Sequence, residues 1–137
     1  MTGPRAHVTI GVMLALVAGP ALATPASPQR FDLICRGVKT VRGAPEPFRQ
    51  TIHVDLDRNA YCVDACKVFD TIKDASKAAI TFRDKPSDGY YLTDKAMWNR
   101  QSGAYTEAFA ATFRMYYESS TRAQCTVASY TAGKAKR

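Results

Sequence analysis

The chain has 137 residues, a formal net charge of +7 and four cysteines. This length suits one domain, and three of the basic residues lie in the last four positions. A specific nucleic-acid partner needs a clustered basic face, so this charge pattern disfavours that class of protein.

The first 23 residues match an export signal. Arg5 supplies a basic start, Val8 to Ala18 form an apolar run, and Ala21-Leu22-Ala23 is a small-x-small cleavage site. A bilayer span needs about 20 apolar residues, and no stretch reaches that length. The sequence therefore predicts cleavage after Ala23, a periplasmic or secreted protein, and no transmembrane span in the mature chain.

The mature chain divides into three predicted parts. Residues 24–29 form a proline-rich leader that we expect to be disordered, residues 30–131 a single β-domain, and residues 132–137 a basic flexible tail. We detect no internal repeat, and we expect a monomer.

All four cysteines follow the export signal, and in an oxidising compartment an even number predicts disulfides. Proximity favours Cys62–Cys66, which leaves Cys35–Cys125 to tie the first mature strand to the last. A redox site would need C-x-x-C, whereas this pair is C-x-x-x-C. A zinc site is also disfavoured, because the mature chain has one histidine and no second close cysteine pair.

The first half of the mature chain predicts two strands and a return segment. Alternating apolar residues indicate strands at 31–35 and 48–57, with a bulge at Gly37 and a loop at 42–47 between them. The sequence Asp57-Arg58-Asn59-Ala60 then predicts a turn before Tyr61 and Cys62.

The second half is also predicted to be strands. Residues 68–72 fit a short strand or a helical turn, whereas residues 78–82 alternate as a strand. A turn at 85–89 precedes two short strands within 90–98, which are separated by a second turn at polar residues 93–95. Asn99 to Gly103 form the next turn.

Residues 105–117 fit both the two-residue period of a strand and the 3.6-residue period of a helix. Phe109, Phe113 and Tyr117 suit both strand alternation and helical i, i+4 spacing, and the alanines favour helix. We predict a strand, because the elements before it are strands and the closing strand at 124–129 needs a partner. The turn between these two strands is predicted at 119–122. The fold class is therefore all-β: one antiparallel sheet curled into a small barrel or sandwich and stapled by disulfides, with Cys35–Cys125 bringing the ends of the sheet together.

His53 is the candidate for an acid-base or metal site, because Asp55 shares its face of the strand. A solvated polar face is the favoured interpretation, since catalysis needs a partner group that the sequence does not indicate. No nucleophile elbow, phosphate loop or calcium-loop spacing is present. The sequence thus predicts neither an enzyme nor a metal or cofactor site.

Aromatic residues crowd the C-terminal half: Tyr90, Tyr91, Trp98, Tyr105, Tyr116 and Tyr117. Neighbouring tyrosines on a strand point to opposite faces, so one of each pair faces outward. The hairpin from Trp98 to Tyr105 combines aromatic residues, an arginine and a glycine turn, which are typical of binding sites. The candidate binding residues are Trp98, Arg100, Ser102 and Tyr105.

Four short motifs occur in order along the chain: F-x-L-x-C from Phe31, Y-C-x-x-x-C from Tyr61, N-R-x-S-G-x-Y from Asn99, and a closing Q-C at Gln124. Their order resembles small exported bacterial β-proteins that carry no assigned function.

The chain is also similar to periplasmic inhibitors of c-type lysozyme, small β-barrels in which a Ser-Gly-x-x-Tyr loop enters the enzyme cleft. Here the sequence Ser102-Gly103-Ala104-Tyr105 is one residue shorter than that loop.

The sequence favours an exported, non-catalytic β-domain that binds an unknown protein or envelope component. A lysozyme-inhibitor-like protein, a small hydrolytic or other enzyme, and a purely structural envelope protein remain as alternatives.

Overall fold

The computed structural model describes residues 28–132, together with Gly3 and Gly19. Apart from those two glycines, the predicted signal peptide lies outside the described residues. So do positions 24–27 of the predicted leader and 133–137 of the predicted tail. None of the described residues belongs to a helix long and apolar enough to cross a membrane.

The described residues form a single antiparallel sheet of nine strands, which confirms the all-β prediction. The strands are β1 Arg30–Val41, β2 Ala44–Asp55, β3 Ala60–Val63, β4 Asp70–Thr71, β5 Asp74–Ala75, β6 Ala79–Lys85, β7 Tyr91–Asn99, β8 Ala104–Thr112 and β9 Tyr116–Ala128. Their order across the sheet is β4-β3-β2-β1-β9-β8-β7-β6-β5.

The sheet curls into a half-barrel because its two outermost strands are consecutive in the chain. Only Ile72 and Lys73 separate β4 from β5. The Ile72 amide donates to the Asn59 carbonyl beside β3, and the Lys73 amide donates to the Thr81 carbonyl of β6, each at 3.0 Å. The segment from β4 to β5 therefore holds β3 and β6 near each other.

Both predicted disulfides, Cys35–Cys125 and Cys62–Cys66, are present. Cys35 and Cys125 lie directly opposite each other on β1 and β9, which are neighbours in the middle of the sheet order. The long disulfide therefore staples the centre of the sheet. The prediction that it joins the sheet ends is wrong.

One face of the curled sheet forms the hydrophobic core, as alternating residues of each strand turn inward. The core residues are Phe31, Leu33, Cys35, Ile52, Val54, Tyr61, Ile72, Ile80, Phe82, Ala96, Trp98, Tyr105 and Cys125. We call the face that carries them the core face.

The β1–β2 hairpin is longer than predicted. Its turn is only Arg42 and Gly43, so the loop predicted at 42–47 is wrong. Pro45 and Pro47 fit within β2 because β3 pairs only with Ile52–Asp55, which leaves this part of β2 at an open edge.

Gly37 does not form the predicted bulge, since β1 pairs in unbroken register on both sides. A side chain there would overlap the backbone of Arg122 and Ala123 on β9. Glycine allows this close approach between the strands.

Two predicted turns are strand instead. Residues 93–95 lie inside β7, where the polar Asp94 is buried and paired with Arg83. Residues 119–122 lie inside β9, and Ser119 and Thr121 are buried there. The actual β8–β9 turn is 113–115, so the element predicted at 105–117 is strand rather than helix, as expected, but it ends at Thr112. In both stretches, the polar residues that predict a turn belong to a strand, and some of them lie on its core face.

Candidate functional site

The hairpin predicted to bind a partner is present, but its aromatic side chains face the core. Gly103 adopts a φ of +76° as its turn requires. Trp98 and Tyr105 are directly opposed on β7 and β8 and only 4% and 2% exposed. The expectation that they are presented to a partner is wrong, because alternation turns Met97 and Thr106 outward instead.

The four predicted binding residues do not form one site. The Trp98 ring packs 5.9 Å from Phe31, and the Tyr105 hydroxyl donates to Glu107 at 3.0 Å. Ser102 is exposed in the turn, and Arg100 donates to the Ser76 carbonyl at 2.9 Å. Trp98 and Arg100 line a common cavity.

His53 is buried, so the prediction of a solvated polar face is wrong. Its Nδ1 lies 2.7 Å from Oδ1 of Asp32, and its Nε2 lies 3.0 Å from the Asp64 carbonyl oxygen. The Thr131 hydroxyl donates to Asp32 at 2.6 Å, and Tyr130 packs edge-on against the imidazole at 6.2 Å. The segment after β9 covers this part of the outer face.

These residues contain the side-chain types of a hydrolytic triad, but their geometry differs from one. In a triad the nucleophile bonds to the histidine, whereas the Thr131 hydroxyl bonds to Asp32. Both nitrogens of His53 already face acceptors. Residues 28–132 also contain no group of three metal-ligating side chains. The cluster ties the C-terminal segment to β1 and β2.

A second buried cluster lies on the core face at β6, β7 and β8. A bulge between Thr81 and Arg83 turns Arg83 toward that face. Its guanidinium donates to Asp94 at 2.7 Å and to Glu107 at 2.8 Å. Both carboxylates are thereby held by one arginine.

The pKa values of Arg83 and Tyr105 in this cluster are both raised. Burial lowers the pKa of Arg83, but the hydrogen bonds to Asp94 and Glu107 outweigh burial and raise it overall. Burial raises the pKa of Tyr105, and the Glu107 carboxylate raises it further. Arg83 therefore stays charged and Tyr105 stays neutral near neutral pH.

Beyond this cluster, the core face ends in a row of contacting aromatic rings. Ring centroids are separated by 5.5 Å for Tyr91–Phe113, 6.0 Å for Tyr91–Phe109 and 5.9 Å for Phe109–Tyr117. Tyr90 stacks on Phe113 at 6.4 Å. A bulge between Tyr91 and Thr93 brings Tyr91 onto this face.

Three chain connections meet around this row, and their side chains are exposed. The Arg42 guanidinium lies over the Tyr117 ring at 5.7 Å, and its Nη2 contacts Sδ of Met115 at 3.0 Å. The Thr112 amide donates to the Tyr90 carbonyl at 2.7 Å. We call this surface the aromatic end, formed by Arg42, Tyr90, Tyr91, Phe109, Phe113, Arg114, Met115, Tyr116 and Tyr117.

The aromatic end is exposed where it faces solvent. Tyr90 and Phe113 are each 63% exposed, Met115 65% and Tyr116 52%. The sequence had indicated one outward member in each tyrosine pair, which Tyr90 and Tyr116 confirm. It missed Phe113 and Met115, although the run Phe113-Arg114-Met115-Tyr116 is an unusual composition for a turn.

Comparison of the chain with protein-family models, curated proteins and solved structures returned no match.

Proposed function

We propose that this protein is an exported, monomeric, non-catalytic domain that binds a protein partner through its aromatic end. The observation that carries the proposal is the exposure of Phe113 and Met115 at the tip of the β8–β9 hairpin, beside exposed Tyr90 and Tyr116. Tyr90 stacks on Phe113, and an exposed apolar patch of this kind is typical of interaction sites.

The residue types favour a protein partner. Tyrosine, phenylalanine, methionine and arginine are enriched in the cores of protein interfaces, where lysine and glutamate are depleted. Contacts between the rings fix their positions before binding, so docking would cost little side-chain entropy.

The charges favour a partner surface that carries carboxylates. Arg42 and Arg114 both belong to the aromatic end, and neither forms an ion pair within residues 28–132. Arginine binds carboxylates through two parallel hydrogen bonds. A partner that presents apolar side chains beside aspartate or glutamate fits this surface.

The proposal of export is supported by the two disulfides, which persist in oxidising compartments. The export signal in the sequence points to the same compartment. A periplasmic or secreted location places the aromatic end in contact with envelope or extracellular proteins.

The alternatives have less support from the geometry. Tyr105, which a lysozyme-inhibitor loop would insert into its target, lies in the core. The histidine cluster lacks the geometry of a nucleophile and its base. A purely structural role gives no reason for the exposed rings.

A crosslinking experiment tests the function. A photoreactive amino acid at Tyr116 should capture a defined envelope or extracellular protein. Replacing Phe113 and Met115 by serine should weaken binding of the captured protein by at least about 2 kcal/mol, the size of an interface hot spot.

The matched control replaces two other exposed apolar residues, Val68 and Phe69, by serine; they are 68% and 51% exposed and lie between β3 and β4. This control should bind as the unaltered protein does. Equal loss in both variants, or no loss in the Phe113 and Met115 variant, would contradict the proposal.

A further inference from the structure

At the end of the sheet opposite the aromatic end, the β7–β8 hairpin opens onto a cavity of about 560 Å³. Phe31, Leu56, Trp98 and Val127 supply apolar walls, and Lys77 and Arg100 supply two positive charges. No aspartate or glutamate lines it within the described residues. Its volume lies in the range of about 300–1,000 Å³ that is usual for small-molecule sites.

We propose that this cavity binds a small amphipathic anion, with the apolar part against Phe31 and Trp98 and the anionic head beside Arg100 and Lys77. The proposal is independent of the aromatic end. Charge complementarity identifies the occupant, because two cations with no lining carboxylate leave a positive charge that an anionic head would neutralise.

Arg100 is held in place before a ligand arrives. Its amide donates to the Ala78 carbonyl at 2.8 Å, and its Nη1 donates to the Ser76 carbonyl at 2.9 Å. The guanidinium has five N–H donors, so others remain for a ligand.

The loop that carries Lys77 is also fixed. Oγ of Ser76 accepts hydrogen bonds from the amides of Ala78 at 3.2 Å and Ala79 at 3.1 Å. Lys77 and Arg100 are therefore positioned by the same short turn.

Trp98 belongs to the apolar part of the cavity. It is almost fully buried, it lines the cavity, and its indole Nε1 has no hydrogen-bond partner among the described residues. The surrounding protein covers Nε1 itself, so a ligand in the cavity would meet the indole ring and not its N–H. Trp98 therefore contributes an apolar wall to the cavity.

Trp98 also provides the assay, because it is the only tryptophan in the sequence. The purified protein is titrated with decanoate below its micelle concentration, with Trp98 emission as the readout. We expect a saturable change. Decyl phosphate tests whether the head group is a phosphate rather than a carboxylate, and uncharged decanol should bind at least tenfold more weakly than the better anion.

Arg100→Gln should weaken binding of that anion at least tenfold, and Lys77→Gln should weaken it to a smaller extent. Lys95→Gln is the matched control, since Lys95 is an exposed cation on β7 that pairs with Asp84. It should bind as the unaltered protein does.

The salt dependence of the unaltered protein tests the proposal even if Arg100→Gln fails to fold. Affinity for the anion should fall as sodium chloride is added, because salt screens the attraction. No saturable response to either anion, equal affinity for decanol, or salt-independent binding would overturn the proposal.

Discussion

Arg83 and Asp94 are paired at 2.7 Å on a face that the β6 bulge makes available to the arginine. Glu107 binds the same guanidinium at 2.8 Å. The first prediction concerns this cluster: Arg83→Met should lower the free energy of unfolding by about 3 kcal/mol, as expected when buried charges lose their partner. Asp94→Asn should cost less, because Arg83 keeps Glu107.

Urea unfolding followed by circular dichroism measures both variants. Lys95→Met is the control, because Lys95 and Asp84 form an exposed pair at 3.6 Å. Its effect should stay below about 1 kcal/mol, the usual upper range for a surface ion pair. Similar losses in Arg83→Met and Lys95→Met would show that the Arg83 cluster stabilises the fold no more than a surface ion pair does.

The second prediction concerns His53, which should stabilise the fold and take no part in catalysis. His53→Ala leaves the buried Asp32 without its imidazole, so the free energy of unfolding should fall by about 2–3 kcal/mol. In a double-mutant cycle with Asp32→Ala, the double variant should lose less stability than the sum of the two single losses. Turnover of a hydrolase substrate that disappears in a stably folded His53→Ala variant would contradict this role.

The third prediction compares the disulfides. Cys35 and Cys125 are 90 positions apart, whereas Cys62 and Cys66 are four apart. On the chain-entropy model, removing the long disulfide by a double alanine substitution should cost roughly 4–5 kcal/mol and removing the short one about 2 kcal/mol. In thermal unfolding, the variant without Cys35–Cys125 should therefore have a lower Tm than the variant without Cys62–Cys66. The reverse order would mean that local packing dominates.

The fourth prediction is a pH dependence. Burial raises the pKa of Tyr105 above the ordinary 10.0, with a further contribution from Glu107. Above that ordinary value the unfolded chain loses the Tyr105 proton while the folded chain keeps it. The free energy of unfolding should therefore fall as the pH rises above about 10.

Urea midpoints at about pH 8 and pH 10.5 measure this fall across the ordinary tyrosine pKa. Tyr105→Phe should reduce the fall, and the exposed Tyr90→Phe should leave it unchanged. An equal fall in all three proteins would show that other groups cause the loss of stability at high pH.

The fifth prediction concerns Gly37. A Cβ at this position would overlap the backbone of Arg122 and Ala123, and backbone atoms of paired strands move little. Gly37→Ala should therefore cost about 2 kcal/mol or more through overpacking. Gly89→Ala is the control, because its Cβ meets open space and only its φ of +90° is strained. A smaller effect at Gly37 than at Gly89 would contradict the steric explanation.

The sequence by itself determined the features that depend on local pattern. Alternation marked the strands around Leu33, Ile52 and Ile80, and Gly103 marked the hairpin turn. Cysteine proximity identified Cys62–Cys66 and, by elimination, Cys35–Cys125. These signals are local because side-chain period, turn chemistry and the pairing of a few cysteines need no knowledge of distant strands.

Only the tertiary structure decided which polar residues lie inside and which aromatic residues lie outside. Asp94 and Thr121 are buried because the strands beside them supply Arg83 and close packing, and His53 is covered by a segment far along the chain. Trp98 and Tyr105 turn inward together because they are opposed across one hairpin. Two single-residue bulges bring Arg83 and Tyr91 onto the core face. A bulge reverses the face of every residue after it, so the positions of such residues depend on the register between strands, which no local pattern specifies.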